Sequence, residues 1–166
     1  PGGTVTGVPE FAAQIAAFPK PSVAFTSGEA CSAAYWLASQ ADDFLATPSA
    51  SVGSVGVYLA LLDSSAALAR SGVFVDVIKA GTYKAAGFPG TSLTDEQRAL
   101  LQERVDTVHG MFMAAVTGKR SRVGADSMQG QSFYGMQAAE RRLVTGIVPS
   151  RAAMLARLTT LHPQNP

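Results

Sequence analysis

The sequence predicts an α/β domain with largely parallel strand pairing. Three observations carry this. Short β-branched, apolar runs alternate with Ala-rich helical stretches; glycines and prolines punctuate the joints; and one run, "VFVDVI" at 73–78, is apolar enough to be buried on both faces. The 166 residues suit a single domain with a real core, and no linker, internal repeat or domain boundary is visible from 1 to 166.

The elements follow in order. Residues 9–18, "PEFAAQIAAF", read as a helix with Pro9 near its start, stopped by Pro19 and Pro21. "SVAFTS" (22–27) is a short strand, 31–41 an Ala-rich helix, and "DFLATP" (43–48) a second strand. "SVGSVGVY" (51–58) is a Val-rich strand whose two glycines mark a close backbone approach. A helix covers 62–71, with Gly72 suited to its C-terminal cap, and strand 73–78 leads into a Gly- and Pro-containing loop over 79–93. Thr94 and Gln97 form a capping box, Asp95 and Glu96 favour the positive helix end, and Leu101, Val105, Val108, Phe112 and Ala115 make one apolar stripe of a long helix. A short helix over 136–143, a strand or turn at "VTGIV" and a helix over 150–161 complete the chain before the tail "HPQNP". A βα unit needs a strand ahead of its first helix, so one or more N-terminal strands are expected upstream of Pro1, making this an N-terminally truncated domain.

Composition excludes several functions. The net charge is +1 with no basic run, which points away from nucleic acid and anionic membranes. One cysteine and two distant histidines make neither an internal disulfide nor a zinc site. No apolar run is long enough to span a bilayer. The apolar fraction is 47% and the charged fraction 15%, so part of the surface is expected to be covered by other protein.

The chemistry centres on "GEACSAAYWLA" (28–38), where Cys31 and Ser32 stand at a helix start. A serine needs a base. His109 lies mid-helix beside the apolar stripe and His162 in the tail, and both read as structural. A lysine can replace histidine as base where burial lowers its pKa from about 10.4 toward neutrality. The lysines are Lys20, Lys79, Lys84 and Lys119; Lys79 and Lys84 flank "AGTY" directly after strand 73–78, and loops at the carboxyl ends of parallel strands are where α/β folds place sites. Cys31 reads as a small buried hydrophobe, and Tyr35 and Trp36 as core or interface packing.

Four motifs, "PGG" at 1–3, "ACSAAYWLAS" at 30–39, "ATPSASVGSVGV" at 46–57 and "IKAGTYKAAGFP" at 78–89, stand in order and at the spacing of the signal peptide peptidase A (protease IV) family. The later "LTDEQRALLQERVDTVHGMF" and "SFYGMQAAERRLVTGIV" also resemble it. That family includes phage capsid-maturation proteases and shares the Clp protease/crotonase fold.

The resemblance implies a serine endopeptidase with a Ser–Lys dyad. Ser32 matches the nucleophile and Lys84 the base, while Lys79 matches neither. Ser54 matches a serine that hydrogen-bonds the lysine amine, and the backbone N–H groups of Gly3 and Ala33 match the oxyanion hole. Cellular members usually carry Ser-Gly-Gly-Tyr at the nucleophile; here Ser32-Ala33-Ala34-Tyr35 stands instead, which pulls toward the phage-type members. The implied substrates are extended small or apolar segments, in signal-peptide remnants or a capsid scaffold. The implied partners are a peptide or protein substrate and further copies in a homo-oligomer, with no metal or organic cofactor. A membrane anchor in the upstream part goes with the cellular type, and a cytoplasmic or procapsid location with the phage type. The alternative is a noncatalytic crotonase-like assembly subunit; a thioester hydrolase is a remoter third, disfavoured by the lack of an identifiable CoA-binding feature.

Overall fold

The computed structural model describes residues 1–161. They form two compact units: residues 1–57 together with the chain from Val108 on, and residues 58–107.

The first unit opens with α1 (Val8–Ala16), entered through Gly7 at φ 83° and carrying Pro9 in its first turn. β1 (Val23–Thr26) pairs in parallel with β3 (Asp43–Ala46), Val23 opposite Asp43, and β3 pairs in parallel with β6 (Gly146–Ile147). A second three-stranded sheet joins β2 (Glu29–Cys31) in parallel to β4 (Ser51–Gly53), and β4 antiparallel to β5 (Ser132–Tyr134). Pairing is therefore largely parallel, as expected. β2 occupies residues 29–31, where a helix starting at 31 was expected; the helix, α2 (Ala33–Ala38), starts two residues later. The Ala-Cys pair that mimics a helix start instead completes a ladder with Val52 and Gly53.

The core sits around α2. Tyr35, Phe44, Leu45, Phe112 and Leu143 are almost fully buried, and the Trp36 ring stacks on Phe112 at 4.4 Å between centroids. The Tyr35 hydroxyl donates to the Leu143 carbonyl at 3.0 Å, which satisfies the one polar atom of a buried ring. Tyr35 and Trp36 are thus core residues. Phe112 comes from α4 (Asp95–Lys119), the long helix, which starts as expected: Thr94 N–H donates to Gln97 Oε1 at 3.1 Å, and Gln97 N–H donates to Thr94 Oγ1 at 3.2 Å. α5 (Gly135–Glu140) packs so closely on the 47–48 segment that a Cβ on Gly135 would run into the Thr47 carbonyl. α6 (Arg151–Leu161) closes the described chain, and His162 lies outside the described residues.

The second unit holds α3 (Ser65–Arg70) and the N-terminal part of α4. Gly72 follows α3 at φ 74°, the left-handed cap expected of it. The expected strand 73–78 is absent: the segment joins no ladder, and Val73, Phe74, Val75 and Ile78 are exposed, Ile78 at 97%. Its β-branched pattern meets no partner strand among the described residues of this unit, and a strand exists only as part of a ladder.

Candidate active site

β2 and β4 lie side by side with Cys31 opposite Gly53. Each strand delivers a serine one residue further on, so Ser32 and Ser54 emerge at the same carboxyl edge of two neighbouring parallel strands. Both have left-handed backbones: Ser32 at φ 55°, ψ −125° and Ser54 at φ 51°. Non-glycine residues adopt such angles only where the surroundings over-determine them, and such residues cluster at functional sites.

The over-determination is visible at each serine. The Ser32 N–H donates to the Gly53 carbonyl at 2.9 Å, and the Ser32 carbonyl accepts from Trp36 N–H at 2.9 Å, so the residue belongs to the ladder on one side and to α2 on the other. The Ser54 N–H donates to the Gln131 carbonyl at 2.7 Å. A strained strand-to-helix turn is the geometry in which hydrolases lift a serine hydroxyl clear of the sheet. Ser32 is half-buried there.

Positive φ falls on Ser32 itself, and Ala33 is the first residue of α2. The Ala33-Ala34 pair therefore needs no glycine, and the turn survives the departure from Ser-Gly-Gly-Tyr. The N–H groups of the first helical turn have no acceptor within the helix, which leaves Ala33 N–H suited to an external oxyanion. Gly2 lies hard against the serine: a Cβ built on it would fall 2.6 Å from Ser32 Cβ and 2.8 Å from Ser32 Oγ. A Cβ on Gly3 would meet no atom within 4 Å.

Cys31 is buried in β2, with Sγ 3.7 Å from the Ser51 carbonyl oxygen and 3.6 Å from Ser51 Oγ, facing the ladder as a small apolar side chain does. His109 is half-buried, and its Nε2 lies 3.0 Å from the Met128 carbonyl. The buried Arg120 donates to the carbonyls of Ala41 and Asp42, and burial pulls its pKa down.

Lys84 belongs to the second unit, where it is exposed in the turn that precedes Ala85 at φ 63°, its N–H donating to the Gly81 carbonyl at 3.1 Å. The Lys79 ammonium instead donates to the Thr82 carbonyl at 3.0 Å within its own loop. Two contributors escaped sequence reasoning: Gly2, signalled only by the doubled glycine of "PGG", and Gln131, which acts through a backbone carbonyl and leaves no side-chain signature.

The arrangement has counterparts. The model of peptidase family S49 matches residues 15–161. The chain belongs to peptidase family S49. One family relative, the capsid assembly protease C of Escherichia phage lambda, is 35% identical over 93% of this chain and 36% of its own length. The chain spans about a third of the length of such curated relatives. Among solved structures, a mutant of the 1510-N membrane-bound stomatin-specific protease superposes with a TM-score of 0.60 at 11% identity, covering 95% of this chain and 64% of that one. An enoyl-CoA hydratase/isomerase family protein from Silicibacter pomeroyi superposes with a TM-score of 0.51 at 16% identity, over 93% of this chain and 47% of that one. These likenesses carry the Clp protease/crotonase-like fold, which this S49 chain shares.

Proposed function

We propose that the protein is a serine endopeptidase in which Ser32 is the nucleophile and Lys84 the general base. The observation that carries this is the half-buried Ser32, held at φ 55° on a strand-to-helix turn, in a chain of family S49.

In the proposed reaction the Ser32 Oγ attacks the scissile carbonyl carbon while the Lys84 amine, covered and desolvated by bound substrate, takes the hydroxyl proton. The tetrahedral oxyanion is held by the backbone N–H groups of Ala33 and Gly3, each such donor contributing on the order of 3 kcal/mol. Collapse breaks the C–N bond, and the Lys84 ammonium gives its proton to the leaving amine. Water, deprotonated by Lys84, then attacks the acyl-serine; the bond from the acyl carbon to Oγ breaks, the acid leaves, and the Lys84 ammonium returns its proton to Ser32 Oγ. Ser54 orients the lysine amine. A hydroxyl suits this role because a carboxylate there would hold the lysine charged.

Extended segments with small or apolar side chains are the proposed substrates. The likeness to a phage capsid assembly protease favours a phage-head structural protein over remnant signal peptides. A homo-oligomer is proposed as the working form; the low charged fraction and the exposed Tyr58, Leu62, Phe74 and Ile78 of the second unit support it. Sedimentation of the complete protein as monomer alone would contradict that part.

The test is covalent labelling. A fluorophosphonate should attach to Ser32 in the wild-type protein and not in Ser32→Ala. A wild-type protein that neither takes the label nor cleaves casein or a signal-peptide substrate is a noncatalytic assembly subunit instead.

A further inference from the structure

Gly2 has no need of glycine's conformational freedom, since its φ is not in the left-handed region. What it needs is the missing side chain. A Cβ at this position would fall 2.6 Å from Ser32 Cβ, 2.8 Å from Ser32 Oγ and 3.6 Å from Ala33 N. The first two distances lie below any stable carbon or oxygen contact, so something must move.

Ser32 is badly placed to yield. Its Cβ is bonded to a backbone fixed on both sides, by the 2.9 Å bond to the Gly53 carbonyl and the 2.9 Å bond from Trp36 N–H. Its side chain is one atom beyond Cβ, with no flexible end to swing away. Rotation of the Ser32 hydroxyl relieves only the contact with Oγ, because Cβ stays where the backbone holds it, so the segment before Val5 must retreat. Gly3, its neighbour, has open space where a side chain would start. The two glycines of "PGG" therefore differ in kind.

We propose that Gly2 is a positioning residue: the absence of a side chain there lets the segment before Val5 lie against Ser32 and keeps open the space shared by the Ser32 hydroxyl and the Ala33 N–H. This rests on reading Ser32 as the nucleophile and deepens it. The occupied volume is the one in which a carbonyl carbon must approach Oγ while its oxygen faces Ala33 N. A methyl group at position 2 blocks both at once, whereas a change that only loosened the fold would leave the chemistry of the folded fraction intact.

The experiment compares wild-type protein, Gly2→Ala and Ser32→Ala as full chains. The second-order rate of fluorophosphonate attachment is measured, the labelled residue is found by peptide mapping, and rates are normalised to the folded fraction read from the fluorescence of Trp36, the sole tryptophan. A misplacement of about an ångström costs on the order of 100-fold, so Gly2→Ala should label about 100-fold more slowly per folded molecule, and kcat on a peptide should fall with KM held within about twofold. Labelling of Ser32 in Gly2→Ala within about threefold of the wild-type rate overturns the role of Gly2 and leaves the nucleophile standing. Wild-type protein labelled elsewhere, or not at all, overturns the Ser32 reading and the role of Gly2 with it.

Discussion

The backbone N–H of Ser32 donates to the carbonyl of Gly53 at 2.9 Å, so the turn that carries one serine is tied to the residue preceding the other. The bond continues the β2–β4 ladder one step beyond Cys31 opposite Gly53. It also explains how two serines in sparsely populated backbone regions persist side by side. Each costs roughly 1–3 kcal/mol in isolation, and each is held by a ladder that neither could form alone.

The proposed dyad separates chemistry from folding. Ser32→Ala and Lys84→Ala should each lower kcat by on the order of 10⁴-fold or more, because a hydroxyl without its base and a base without its hydroxyl fail together. Lys84 is exposed, so its truncation should leave the denaturation midpoint unchanged. Lys79→Ala should retain activity within a few-fold, its ammonium being tied to Thr82. Peptide hydrolysis rates for the three variants measure this; equal losses in Lys79→Ala and Lys84→Ala would sink the assignment of the base.

Ser54 permits strain and chemistry to be told apart. Its φ of 51° is easy for glycine and costly for alanine. Ser54→Gly should therefore be more stable than Ser54→Ala by about 1 kcal/mol. Both lack the hydroxyl, and both should lose activity to the same extent. Urea denaturation and kcat on one peptide decide it: activity that follows stability, higher in Ser54→Gly, would make the serine a structural turn residue only.

Much of this was legible because it was local. Thr94 and Gln97 announce the start of α4 through a reciprocal pair that needs nothing outside its own turn. Ladders are a different matter. β2 and β5 have three residues each, too few for period-two alternation to declare itself, and they exist through Val52 and the residues around it. The 73–78 run shows the converse, a strong strand pattern with no ladder in its unit. The proposed site residues Ser32, Ser54 and Lys84 stand out in the sequence through motifs alone. Their backbone strain does not, since a serine at positive φ looks like any other serine, and the crowding of Gly2 on Ser32 appears only in three dimensions.

The stack of Trp36 on Phe112 ties α2 to α4 within the first unit. Phe112 is 1% exposed, and its truncation removes both its own burial and a face of the indole. Phe112→Ala should cost about 3–5 kcal/mol in denaturant unfolding. Trp36 emission should also shift to the red as water reaches the ring. A loss below about 1 kcal/mol would mean that the core around α2 closes over the vacancy, a collapse that close packing resists.

Asp42 sets an acid limit on the same unit. Its carboxylate accepts from the Lys119 ammonium at 2.6 Å and from the Ser22 N–H and hydroxyl at 2.9 and 3.0 Å, joining the end of α4 to the chain just ahead of β1 and β3. The Lys119 hydrogen bond, followed by those from Ser22, lowers its pKa from 3.8 to about 2. The folded state thus favours the ionised form, and the contribution is fully present above the unfolded value near 3.8. It is lost as pH falls through about 2, below which both states are protonated. Because the group is half-exposed, the effect is modest and screened by salt. Asp42→Asn should therefore lower the urea midpoint at pH 6, the gap closing as pH falls through about 2 and narrowing as salt is added. Parallel curves over that whole range would mean that the carboxylate's charge contributes nothing and that only its hydrogen-bond geometry matters.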